Sequence, residues 1–103
     1  MWTSKLKYDP IVKFGNLLNW TAMGLGNHEF DLGFEDLAEF SRAVNFSLLA
    51  CNLEENTNDV NRIVFEASKV VEVDGVKIGI IGYIARDTPQ ITAPDFPSLT
   101  FFR

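Results

Sequence analysis

The stretch Gly24-Leu25-Gly26-Asn27-His28-Glu29-Phe30-Asp31 constrains this chain more than any other part of it. It carries the single histidine of the 103 residues and sets an Asn, a Glu and an Asp around it. The run before it, Trp20 to Leu25, is short and mostly apolar, with a glycine near its end, and predicts a buried strand. From Phe34 onward the apolar spacing becomes helical. The polar cluster therefore falls on the loop between the end of a strand and the start of a helix. In α/β folds that is where ligands bind.

Each residue type on this loop has a use. Gly24 and Gly26 lack a Cβ, so the backbone can turn sharply and let a ligand approach closely. Asn27 offers a neutral amide oxygen, a hard donor suited to a divalent cation. His28 is the one side chain here that ordinarily titrates near neutrality, and as an imidazolium it can steady a phosphoryl oxygen or protonate a leaving group. Asp31 can accept the other ring N–H and fix the tautomer. Phe30 between them is apolar and is expected to turn into the core. Glu29 reads either as a carboxylate behind the site or as one at a helix start. A plainer reading stands beside these: Asn, His and Asp at a helix start also serve as capping residues.

Around this loop the pattern is that of a small α/β unit. Pro10 suits the first turn of a helix. Ile11, Val12, Phe14, Leu17 and Leu18 recur at roughly helical spacing, which predicts a helix over Pro10 to Leu18. Gly15 weakens that helix by about 1 kcal/mol relative to Ala. After the loop, Phe34, Leu37, Ala38, Phe40 (or Ser41) and Val44 form one apolar stripe. Glu35, Asp36, Glu39 and Arg42 fill the opposite face, which reads as a solvated face rather than a metal site. Ser47 to Cys51 predicts a second short buried strand, and the three elements together make a β-α-β unit with a parallel pair. Glu54 to Arg62 is polar without period and reads as a surface loop. Ser68 to Val73 and Val76 to Gly82 flank Asp74-Gly75, the strongest short-range hairpin signal. Gly79 and Gly82 inside the second run suggest close packing or a bulge. Tyr83 to Pro89 reads as a loop, with Arg86 solvated by default. Thr92 to Arg103 reads as an extended tail with a strand-like end from Leu99 to Phe102. Trp2 to Tyr8 is mixed and predicts no element.

Size and composition bound the rest. A chain of 103 residues is one domain at most, and 47% hydrophobic residues with nine Phe suffice for a core. The net charge of −5 with no basic cluster argues against nucleic acid as a partner. No apolar run approaches about 18 residues, so no membrane span is expected. The first residues lack the apolar centre of a signal peptide. One cysteine, Cys51, permits no internal disulfide and reads as a small buried residue at a strand end. Asn19-Trp20-Thr21 and Asn45-Phe46-Ser47 are N-glycosylation triplets, each set against a predicted strand.

The sequence also resembles a known family. G-N-H-E-F-D after a hydrophobic strand is similar to the Asn-His-Glu block of the calcineurin-like metallophosphoesterases. More narrowly it resembles the 5'-nucleotidase/apyrase/UDP-sugar hydrolase family. Asn16-Leu17-Leu18, Leu49-Ala50-Cys51-Asn52-Leu53, Val73 to Tyr83 and Asp87-Thr88-Pro89 fit that family in order and spacing, so the likeness runs from about Trp2 to the end. It implies an α/β metallophosphoesterase sandwich, here partial over 1–103, with the β-α-β unit around the loop followed by the β-hairpin. It implies a nucleotide substrate and two divalent ions, Zn or Mn. It assigns Asn27 as a metal ligand, His28 as the group that stabilises the transition state, and Asp31 as its orienting partner. Asn52, whose plain reading is a turn cap, would lie near the site. The resemblance further implies an extracellular or cell-surface place and leaves a homodimer open for a longer protein. Of the family's metal ligands the sequence holds the Asn alone: the Asp-x-His, the Gly-Asp and the later histidines are missing, as is the nucleotide-binding domain. The expectation is an internal piece of a larger enzyme, inactive by itself. The alternative is a truncated, non-catalytic product that acts only in binding.

Overall fold

The computed structural model describes residues 7–56, 62–91 and 99–102. Helix α1 spans Asp9–Leu17, with Pro10 in its first turn, where a missing N–H costs nothing, and Asp9 at the dipole's positive end. Strand β1 (Ala22–Gly24), a 3-10 turn (Asn27–Phe30), helix α2 (Phe34–Ala43) and strand β2 (Ser47–Leu49) follow. β1 and β2 pair in parallel, Ala22 with Ser47, Met23 with Leu48 and Gly24 with Leu49, which is the expected β-α-β unit. Both strands are shorter than the apolar runs that announced them.

The core is built from this unit. Leu25, Phe30, Leu37, Ala38, Phe40, Leu48 and Ala50 are all buried. α2 buries Leu37, Ala38, Phe40 and Ser41 and leaves Glu35, Glu39 and Arg42 outside, as its stripe predicts. Ser41 is polar yet buried because both of its needs are met: its hydroxyl donates to the Ala38 carbonyl at 2.7 Å and accepts from the Val64 N–H at 2.9 Å. α1 departs from expectation. Ile11 and Val12 pack on the core, but Phe14, Leu17 and Leu18 are 56%, 71% and 64% exposed. Gly15 is the buried residue of α1, because a Cβ there would meet the rings of Phe46 at 2.5 Å and Trp20 at 2.9 Å. The helix weakness at Gly15 is thus the condition for packing α1 against those two aromatics.

The second half is a set of strand pairs hung on β2. β4 (Ser68–Val73) and β5 (Val76–Ile81) form the expected hairpin, with Asp74 at φ 52° and Gly75 at φ 78°, the left-handed pair of a type I′ turn. The chain enters this hairpin alongside β2, where Ala50 N–H bonds the Glu66 carbonyl and Glu66 N–H bonds that of Leu48, each at 2.9 Å. It leaves at Gly82, whose carbonyl accepts the Cys51 N–H at 2.7 Å. Gly82 has no room for a side chain: a Cβ would lie 2.3 Å from the Leu49 carbonyl oxygen. Gly79, by contrast, faces open space, so the close packing expected at both glycines holds only at Gly82.

Three local readings are corrected. Leu53–Glu55 forms a strand, β3, paired antiparallel with β6 (Leu99–Phe101), where a loop from Glu54 was expected. That pairing joins segments far apart in sequence, which local pattern cannot show; 57–61 of the expected loop, and 92–98 of the expected tail, lie outside the described residues. Thr88–Ile91 makes a short helix, α3, in place of part of a loop. Cys51 is a free, exposed thiol and not a buried residue, because β2 ends before reaching it. Arg86 is exposed, as its default reading has it. Among the described residues no helix is long and apolar enough to cross a membrane.

Candidate functional site

The site is the segment that leaves β1. Leu25 N–H donates to the Leu49 carbonyl at 3.0 Å, so the parallel pairing continues to the last residue before the loop. Gly26 then turns the chain into the 3-10 turn, and Phe30, fully buried, fixes the other end of that turn in the core with its ring edge-on to Phe101 at 5.6 Å. With Leu25 and Phe30 both pointing inward, the intervening residues are carried at the surface. His28 is exposed, and Asn27 and Glu29 are half-buried. The predicted inward turn of Phe30 is what the structure shows.

His28 and Asp31 meet. Nδ1 of the imidazole lies 2.8 Å from Oδ2 of Asp31, with the two side chains 78% and 38% exposed. A donor at Nδ1 leaves Nε2 as the unprotonated nitrogen of the neutral ring, on a side chain that is largely exposed. Among the described residues the Asn27 amide group makes no hydrogen bond, so its oxygen is unengaged. Glu29 closes the start of the turn: its Oε2 accepts the Gly26 N–H at 2.9 Å. Gly26 permits this closure, since a Cβ there would lie 2.7 Å from that same oxygen.

One residue of this neighbourhood carries no sequence signal. Tyr8, which ends a stretch with no predicted element, is buried against Phe40 with the rings stacked at 4.6 Å, and its hydroxyl donates to the Glu29 carbonyl. Burial pushes its phenol well above the ordinary value, and the nearby carboxylates of Glu29, Asp36 and Asp31 add to the effect. Tyr8 thus stays protonated and remains a donor. Next to it Lys7 is bonded to Asp36 of α2 at 2.9 Å, which raises the lysine pKa and ties this segment to the helix.

Asn52 is neither a turn cap nor an open ligand. Its amide nitrogen donates to the carbonyls of Ile84 and Phe102, each at 2.7 Å, and its oxygen accepts the Ile84 N–H at 2.9 Å. It staples the end of β2 to the segments after β5 and β6. The carboxylates of α2 do not assemble: among the described residues no three of His, Cys, Asp and Glu come together as metal ligands would. The described residues by themselves therefore do not fit a two-metal centre, since a catalytic site takes three or more protein ligands. The acceptors of both glycosylation triplets, Asn19 and Asn45, are exposed.

No family model matches the chain. It is 36% identical to a 5'-nucleotidase of Diplobatis ommata over 98% of its own length and 18% of that protein's. It is also 36% identical to a snake venom 5'-nucleotidase of Gloydius brevicauda, with the same coverage. In three dimensions it matches the crystal structure of a 5'-nucleotidase precursor from Thermus thermophilus with a TM-score of 0.88 and 32% identity, over 99% of this chain and 20% of that one. The mixed α/β fold of the chain is thus one that these proteins share: the chain belongs to the 5'-nucleotidase family, and it spans about a fifth of the length of the relatives it matches.

Proposed function

We propose that this segment supplies one side of the catalytic site of a nucleotide phosphohydrolase, with His28 as the proton-bearing group, Asp31 as its orienting partner and Asn27 as a metal ligand. The observation that carries the reading is the 2.8 Å His28–Asp31 contact, held at the end of a parallel strand pair beside an unengaged Asn amide. In this reading Asp31 holds the proton on Nδ1 and orients the ring, which leaves Nε2 for a substrate oxygen. Divalent ions in such an enzyme would supply Lewis-acid polarisation of the phosphate. Asn27 would give one ligand, and the others would come from residues this chain does not hold. A secreted or surface place is supported by the snake venom relative.

The donor shortage favours a second reading for the chain by itself, that it is not catalytic. Incubation with AMP and added Mn²⁺ or Zn²⁺ should release no phosphate above buffer. Turnover that disappears in His28→Ala would overturn that expectation. The catalytic reading is tested in a chimera where these 103 residues replace the matching stretch of the Thermus thermophilus protein. AMP hydrolysis there should fall by about 10²-fold or more in His28→Ala, the size of a general acid–base contribution. A chimera that folds and turns over equally well without His28 refutes the reading.

A further inference from the structure

Between its two buried anchors, Leu25 and Phe30, the site turn has little packing to hold it. The His28 side chain is 78% exposed, and the closing backbone bonds, Asp31 N–H to the His28 carbonyl and Gly33 N–H to that of Phe30, are long at 3.2 Å each. What fixes the turn is Glu29, gripped at both ends. Its carboxylate accepts the Gly26 N–H at 2.9 Å, and its carbonyl accepts the Tyr8 hydroxyl. Tyr8 is a rigid post for this purpose: it is 4% exposed and stacked on Phe40 of α2. We propose that Glu29 and Tyr8 are positioning residues for Asn27 and His28, setting the turn so that the imidazole reaches Asp31. The inference rests on the reading of His28 and Asp31 given above and extends it to two residues that touch no substrate. It also explains why Gly26 is a glycine. The carboxylate closes over the very space that a Cβ would fill.

The test uses the 103-residue chain and nitrogen-15 NMR of its single histidine, whose ring signals need no assignment. Wild type should show the neutral imidazole mainly protonated at Nδ1. Glu29→Ala should move the population towards the usual Nε2–H form, whereas Glu29→Gln, which keeps an acceptor oxygen, should restore most of the wild-type pattern. Exchange of the Gly26 amide proton should speed up by about tenfold or more in Glu29→Ala, the scale of one hydrogen bond to a charged group. Tyr8→Phe keeps the stacking ring, removes only the hydroxyl, and should give a partial shift in the same direction. If Glu29→Ala fails to fold, Tyr8→Phe decides. A tautomer identical to wild type in the folded variants overturns the proposal. Asp31→Ala, which leaves no acceptor for Nδ1, separates the two levels of inference. A shift there with none in Glu29→Ala or Tyr8→Phe sinks the positioning role alone. No shift in Asp31→Ala removes the His28–Asp31 bond itself and, with it, the reading underneath.

Discussion

Gly79 lies within the hairpin's second strand and Gly82 just past its end, and the structure assigns their Ala variants opposite signs. Neither has a left-handed backbone, so Ala is conformationally allowed at both and the contrast is one of space. At Gly79 a new Cβ meets nothing within 4 Å. Gly79→Ala then removes only the extra freedom of the unfolded chain and should stabilise by about 0.4–1 kcal/mol. At Gly82 the Cβ would stand 2.3 Å from the Leu49 carbonyl oxygen and 2.5 Å from its carbon. That neighbour is backbone and cannot rotate away. Overpacking costs about 1–3 kcal/mol. The forced shift also stretches the 2.7 Å Cys51–Gly82 backbone bond, and losing one such bond adds about 1 kcal/mol. The total, about 2–4 kcal/mol, corresponds for a chain of this size to a fall in Tm of roughly 10–30 °C, at about 4–8 °C per kcal/mol. Thermal unfolding followed by circular dichroism at one protein concentration measures both variants against wild type. A Gly82→Ala melting point within about 2 °C of wild type, or equal shifts at the two glycines, would refute the idea that the hairpin is seated on β2 through Gly82.

Other outcomes follow from the same geometry. Phe30→Ala empties a fully buried ring site beside Phe101 and should cost about 3–5 kcal/mol; a denaturant midpoint close to wild type would show that the turn is not anchored there. In the chimera, Asp31→Asn should lower turnover while leaving metal content by elemental analysis unchanged, as expected if the role of Asp31 is to orient His28, which it contacts at 2.8 Å; equal activity would count against it. Tyr8 has a raised folded-state pKa, so its contribution is complete below the unfolded value of about 10 and declines as the pH climbs beyond it. Wild type should accordingly lose stability faster than Tyr8→Phe in melts taken from pH 9 upward, at about the ordinary tyrosine range, and parallel curves would contradict the buried donor. The hairpin carries Val70 and Ile81 at 67% and 71% exposure with Val76 at 62%. Such a bared apolar surface next to open strand edges should make the isolated chain self-associate with rising concentration, as read by sedimentation; a monomer throughout would argue otherwise.

The β-α-β unit and the hairpin were legible in the sequence because their signals are local. An apolar stripe at helical spacing, short apolar runs bounded by glycine, and Asp74-Gly75 each act through neighbours in the chain. The order Asn27, His28, Asp31 is local as well, and a separation of three residues on a tight turn is enough to let the imidazole meet the carboxylate. Tertiary structure decided everything that required two distant segments to meet. Tyr8 reaches Glu29 from 21 residues away. Asn52 is held by the backbone of Ile84 and Phe102, and β3 exists only because Leu99–Phe101 pairs with it. Phe14 and Leu17 look like core residues by spacing, yet α1 packs through Gly15 because Phe46 and Trp20 occupy that face. Periodicity reports which side chains share a face. Whether that face is covered depends on what the rest of the chain brings to it.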